Sequence, residues 1–189
     1  NQYAKINVTL EPIEPGRAIE FESKLGPDRL AAPFVAAAKQ GVMEASSGGV
    51  LSGFPVVGIK AILTAAATKE GDSTEMAFKI AGSQSFVLAS QSGDPVLMEP
   101  VMEVEIVVPE EYMGAVIGDV NGRRGRVINI VARRDAQVLH AEAPLAEMFG
   151  YATALRSLTQ GRAVYTMQFN RYEQTPKPVQ EEILRRIGR

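Results

Sequence analysis

The sequence predicts an α+β chain of two domains, and three observations carry that reading. Segments with the two-residue alternation of strands are interleaved with segments of helical period. The second half runs strand, helix, strand, strand, helix, strand, which is a split βαβ unit duplicated. Basic residues also change kind: six of the eight in residues 1–97 are Lys, and eleven of the twelve in residues 98–189 are Arg. A boundary is therefore expected near Leu97, which suits 189 residues at about 100 to 200 per domain.

In the first domain, Ile6, Val8 and Leu10 alternate with Lys5, Asn7 and Thr9, predicting a half-buried strand from Tyr3 to Ile13 that Pro12, Pro15 and Gly16 end. Ile19 to Leu25 predicts a second, short strand turned by Gly26-Pro27. Phe34, Val35, Ala38, Val42 and Ala45 share one face of a helix from Ala31 to Ser46; Pro33 is tolerated because first-turn amides have no partner. The β-branched run from Phe54 to Thr64 predicts a buried strand. Thr68-Lys69-Glu70-Gly71 then forms a polar loop.

Asp72-Ser73-Thr74-Glu75 reads as a capping box, Asp72 accepting a first-turn amide and Glu75 reaching back. The helix it opens is expected to carry Met76, Ile80, Val87 and Leu88 on its apolar face as far as about Ser92. A long strand feeding a long helix through a short polar loop makes a projecting tip, with Lys69 near its apex.

The second domain is expected to have strands at Glu99 to Val108, Arg126 to Ala132, Ala136 to Glu142 and Ala163 to Asn170. Its helices are Glu110 to Val120, with Met113, Val116, Ile117 and Val120 facing the core, and Pro144 to Leu158, with Leu145, Met148, Phe149, Ala152 and Leu155 doing so. Pro109 and Pro144 suit first turns, and Glu110-Glu111 suits the helix dipole. This order is the ferredoxin-like arrangement, one antiparallel sheet covered by two helices. A last amphipathic helix, Val179 to Ile187, follows Pro176-Lys177-Pro178, and its Ile183, Leu184 and Ile187 need another surface to cover them.

Composition narrows the chemistry. At 46% hydrophobic and 22% charged residues the chain is globular in type, and with no cysteine it has no disulfide, thiolate zinc site, iron-sulfur cluster or cysteine nucleophile. The longest apolar stretch, Gly53 to Ala67, contains Lys60 and falls short of the ~20 residues of a membrane span, so none is expected. The chain opens inside a strand-like alternation without Met or a signal-peptide core, and is expected to be cut from a longer protein. The first 97 residues carry a net charge of -2 and the remainder 0, which argues against stand-alone nucleic-acid binding.

No phosphate loop with its Lys and Ser or Thr occurs, so nucleotide hydrolysis has no machinery in these residues. The single histidine, His140, shares a strand face with Val138 and Glu142, and a structural or surface role is expected for it. Glu110-Glu111 and Glu181-Glu182 are helix-end and solvent charges. Asn121-Gly122-Arg123-Arg124-Gly125-Arg126 reads either as a turn that grips phosphates or as a solvated helix end. Arg156-Ser157-Leu158-Thr159-Gln160-Gly161-Arg162 carries more hydrogen-bonding side chains than a helix cap requires, favouring RNA contact.

Pro109-Glu110-Glu111-Tyr112-Met113-Gly114, Gly118-Asp119-Val120-Asn121 with Arg123-Arg124-Gly125, and the run from Pro144 to Thr153 closely resemble bacterial-type translation elongation factor G. So do Leu155-Arg156-Ser157 with Thr159-Gln160-Gly161-Arg162, the segments around Asp72 to Ala81, and Phe54-Pro55-Val56-Val57. The resemblance spans nearly the whole chain and implies the family's fourth domain, with a ribosomal protein S5 domain 2-like fold, at residues 1–97 and its fifth, with the C-terminal helix, at 98–189. It implies that the GTPase, second and third domains lie elsewhere, and with them GTP and Mg; no cofactor is expected in these residues. It further implies a cytoplasmic, monomeric partner of the ribosome whose fourth domain enters the decoding centre beside mRNA and tRNA during GTP-dependent translocation.

By that resemblance Gln2 and Tyr3 match the end of the family's first tip loop, and Lys69, with Glu70 and Gly71, falls at the second, where many members carry a histidine. Arg156, Ser157 and Gln160 match positions facing the sarcin-ricin loop of the large subunit. Lys69, and Ala4 where a glycine is common, leave room for a paralogue specialised for ribosome recycling. An independent ferredoxin-like regulatory or binding module is the alternative of another class, and a hydrolase built on His140 the remaining one.

Overall fold

The computed structural model describes residues 2–188, so Asn1 and Arg189, which end the two predicted domains, lie outside the described residues. In chain order the elements are β1 (Lys5–Pro12), β2 (Glu20–Ser23), α1 (Ala32–Gly48), β3 (Ile59–Ala67), α2 (Glu75–Ser92), β4 (Met98–Val108), α3 (Glu110–Gly122), β5 (Arg126–Arg133) and β6 (Ala136–Pro144). A 3-10 turn (Leu145–Glu147), α4 (Tyr151–Leu158), β7 (Val164–Gln174) and α5 (Lys177–Ile187) complete them. The fold is α+β, with one sheet in each of two compact units. The first unit holds the chain up to Leu97 and again from Thr175 onward; the second is Met98–Gln174. The helix α5, which the sequence reading placed with residues 98–189, thus groups with the first unit.

In the first unit β3 is central, antiparallel to β1 and parallel to β2. Flanked on both edges, it buries Ala61, Ile62 and Leu63. Two apolar clusters hold α1 and α2 to this sheet, one around Leu30, Ala37, Leu63 and Phe78, where Phe34 stacks on Phe78 at 4.7 Å, and one around Val42, Ala61 and Phe86. At the end of the unit Thr175 N–H donates to Leu97 O (2.9 Å), and Leu97 N–H donates to the Gln180 side chain of α5 (2.9 Å). Ile183 and Leu184 are half-buried, while Ile187 is exposed.

Three expectations for this unit need correction. The third strand begins at Ile59 and not Phe54, because Pro55 has no N–H to donate, Val56 N–H is taken by Ser46 O at the end of α1, and Gly58 turns with a φ of +73°. Asp72 does not cap α2; Thr74 does, its hydroxyl accepting the Ala77 N–H at 3.1 Å. The buried side of α2 is Ala77, Phe78, Gly82, Phe86 and Ser90, whereas Met76, Ile80 and Leu88 are exposed. Apolar residues occur on both sides of that helix, and the side with the bulkier aromatics is the one that packs.

The second unit has the antiparallel order β5-β6-β4-β7, the ferredoxin-like sheet. Alternate residues Val104, Ile106 and Val108 of β4 and Leu139, Ala141 and Ala143 of β6 meet Val116 and Val120 of α3 and Tyr151 and Leu155 of α4. The expected helix from Pro144 to Leu158 is broken: the 3-10 turn precedes Met148 to Gly150, and Gly150, with φ +75°, starts α4 from the left-handed region. The break changes the helical phase. Tyr151 enters the core at 1% exposure, edge-on to Tyr165, and Phe149, expected inside, is 80% exposed.

Candidate nucleic-acid interface

The β1-β3 register pairs Lys5 with Ala67, so the chain before β1 and the loop after β3 emerge at one end of the first sheet. There they are tied together. Tyr3 N–H donates to Asp72 O (2.9 Å), and the Ser73 hydroxyl donates to Tyr3 O (2.9 Å) while accepting the Lys69 N–H (2.9 Å). Lys69 O closes the loop by accepting from Asp72 N–H (3.2 Å) and Ser73 N–H (2.9 Å). Lys69 Nζ pairs with Asp72 at 2.8 Å on a largely exposed stem, and Gly71 occupies a φ of +78° with open space where a side chain would be. Gln2, Tyr3, Lys69, Glu70 and Gly71 are all exposed, so the structure brings this predicted set to one place. Asp72 and Ser73, which tie the set, were legible only as helix-start residues, because a hydrogen bond spanning 70 residues leaves no local pattern.

In the second unit Arg156, Ser157 and Gln160 also come together, exposed on the last turn of α4 and the residues after it. Thr159, fully buried, holds that turn: its hydroxyl donates to Leu155 O at 2.7 Å and accepts the Ala163 N–H at 3.2 Å. Gln160 and Gly161 sit at φ of +51° and +77°, and Gly161 N–H donates to Arg156 O at 2.8 Å, so the backbone turns sharply and leaves the Gln160 side chain in solvent. Arg156 has no carboxylate partner among the described residues, whereas Arg162 pairs with Glu111 and lies over the Tyr112 ring at 5.7 Å.

In the Asn121 to Arg126 cluster all three guanidiniums have carboxylate partners within the second unit. Arg124 makes a bidentate pair with Glu99 (2.8 and 2.9 Å) and a third bond to Glu147 (3.0 Å). Glu99 is the main reason its guanidinium binds its proton even more firmly than usual. Arg123 pairs with Asp119, donates to Glu147 O at 2.7 Å and lies 5.0 Å above the Tyr151 ring. Arg126 pairs with Glu142, whose carboxyl Arg171, and then Arg126, hold down to about 2 against the opposing effect of burial. These guanidiniums fasten α3 and the following turn to β4, β6 and the 3-10 turn, because in the ferredoxin-like topology glutamates distant in sequence face them.

His140 Nδ1 lies 3.7 Å from Glu105 Oε2 at a partly exposed sheet position. No group of three or more possible metal ligands occurs among the described residues. None of the described helices is long and apolar enough to cross a membrane.

Two α+β units with these polar ends have counterparts among known proteins. Residues 1–94 match the family model described as elongation factor G, domain IV, and residues 96–183 the one described as elongation factor G C-terminus. The crystal structure of a protein from Thermus thermophilus is similar over 99% of this chain, at 35% identity and a TM-score of 0.86. The chain spans 28% of that protein's length. These are domains of a translation factor. The chain belongs to the elongation factor G family.

Proposed function

We propose that this chain is the ribosome-binding arm and brace of a translocase, residues 1–97 serving as the arm whose tip enters the decoding centre beside tRNA and mRNA. The observation that carries this reading is the tie between Tyr3 and the Lys69 to Ser73 loop. Two chain segments are locked into one exposed end with a cation at it, while the sheet and the α1 and α2 helices behind supply stiffness. An element that must hold a displaced codon and anticodon in place needs such an end more than it needs a catalytic group. Arg156, Ser157 and Gln160 would meet the sarcin-ricin loop of the large subunit, anchoring residues 98–189.

GTP and Mg belong to a GTPase domain outside these residues, so this chain contributes contact and leverage. The cytoplasm and a monomeric state fit that role. Near-neutral charge fits it as well, since affinity is then distributed over a broad ribosomal surface and the other domains.

The test is a toeprint of mRNA on pre-translocation ribosomes with the full-length protein and GTP. An advance of one codon supports the translocase. No advance, with splitting of ribosomes once recycling factor is added, replaces it with a recycling paralogue, the reading that Lys69 in place of the family's frequent histidine favours.

A further inference from the structure

We infer that Phe149 is a stacking platform for an unpaired RNA base, extending the Arg156, Ser157 and Gln160 face of α4; this rests on the proposal that this face meets RNA. At 80% exposure Phe149 is the most exposed large apolar side chain among the described residues. It directly precedes Gly150, the N-cap of α4, a position from which an apolar side chain ordinarily folds onto the fourth helical residue, here Ala154. It does not do so.

The backbone around it is nonetheless held. Met148 N–H donates to Leu145 O (3.0 Å), Tyr151 N–H to Met148 O (3.1 Å) and Ala154 N–H to Gly150 O (3.1 Å), while the flanking Met148 and Tyr151 are buried. A ring pushed into solvent from a turn anchored on both sides loses little freedom when a base stacks on it.

Its surroundings select RNA over an apolar protein pocket. Exposed residues recur at Ala152, Thr153, Arg156 and Ser157 along one side of α4, while Tyr151 and Leu155 face inward; Phe149 precedes the helix and Gln160 follows it, both exposed. That side carries one unpaired guanidinium and hydroxyls with small residues between them, and the turns at the helix's two ends add one aromatic ring and one amide, the set that stacks on bases and bonds their edges and phosphates. No carboxylate occurs from Met148 to Arg162. The nearby Glu147 and Glu111 are taken up by Arg124 and Arg162.

The experiment measures binding of the full chain to isolated large ribosomal subunits over a salt series. Phe149→Ala and Phe149→Leu are expected to bind about tenfold or more weakly and Phe149→Tyr nearly as well as wild type, since Leu keeps apolar area but has no ring. The salt slope stays unchanged in all three, while Arg156→Ala lowers it by about 0.7 to 0.9. A photo-crosslinking amino acid at position 149 is expected to capture ribosomal RNA. Wild-type affinity in Phe149→Leu, a crosslink to a ribosomal protein, or none in the bound complex, would each overturn the inference. If the wild-type chain itself fails to bind, the RNA-facing reading of α4 fails and takes this one with it. Substitution at so exposed a site leaves folding intact, and far-UV circular dichroism checks that.

Discussion

Gly41 of α1 and Gly82 of α2 mark where the two helices touch backbone to backbone. A Cβ on Gly41 would lie 1.9 Å from Lys79 O, and one on Gly82 would lie 2.3 Å from Ala38 O. Neither oxygen can move without breaking its helix, so the two glycines set how closely the helices behind the tip can pack.

Gly41→Ala and Gly82→Ala are therefore expected to destabilise the first unit by about 2 kcal/mol or more, through overpacking against a rigid backbone. Gly114→Ala and Gly118→Ala, on α3 where a Cβ meets nothing within 4 Å, are expected to be neutral or stabilising by up to about 1 kcal/mol. Urea unfolding of the four variants measures the contrast.

Arg124→Ala leaves Glu99, whose side chain is only 12% exposed, without its bidentate partner. The expected cost is about 2 to 3 kcal/mol, below that of a fully buried pair because Arg124 is partly solvated. Lys at this position restores part of it, having the charge but not the fork. The salt dependence of ribosome binding should not change; a reduced slope would return this cluster to the phosphate-contact role.

Glu142 gives the second unit an acid limit. Its folded pKa of about 2 lies below the ordinary carboxylate value, so its contribution is fully present above about 4.5 and is lost as pH falls through about 2. The linkage is worth about 1 to 2 kcal/mol after allowance for the solvent screening of Arg126 and Arg171. Glu142→Gln should be less stable by that amount at pH 7 and should converge on wild type between pH 4.5 and 2 in thermal melts.

At the tip, Ser73→Ala removes the donor to Tyr3 O and the acceptor for the Lys69 N–H. Global stability should change by no more than about 1 kcal/mol. Amide hydrogen exchange at Tyr3 and Lys69 should accelerate about fivefold, and unchanged exchange would show that the tie does not order this end.

Lys69→Ala in the full-length protein is expected to slow translocation more than Arg133→Ala, an exposed change at the far end of β5. Equal, negligible effects on codon movement would remove the tip from the mechanism. The isolated chain is expected to bind ribosomes weakly with a shallow salt slope, about 0.7 log units per single-strand phosphate contact.

Much of this architecture is local and could be read directly. Strand alternation in β1, the helical stripe of Met113, Val116, Ile117 and Val120, and the βαββαβ order all follow from periodicity, which a single segment carries. The tip residues and the Arg156, Ser157 and Gln160 face were legible as positions, since the family's motifs name them. What they touch was not.

Long-range partners decided the rest. Whether Arg124 grips a phosphate or fastens a turn depends on Glu99, 25 residues away and brought alongside only by the fold. Whether Phe149 enters the core depends on the left-handed Gly150, which rotates Tyr151 into its place. The inward side of α2 depends on which side chains α1 and the sheet can accept. Sequence by itself determined the order of strands and helices, many of their bounds and the family, because periodicity and motif are properties of neighbouring residues. Tertiary structure alone decided which charges are spent inside the molecule and which remain for a partner, because a guanidinium binds whatever acceptor the packed chain places beside it.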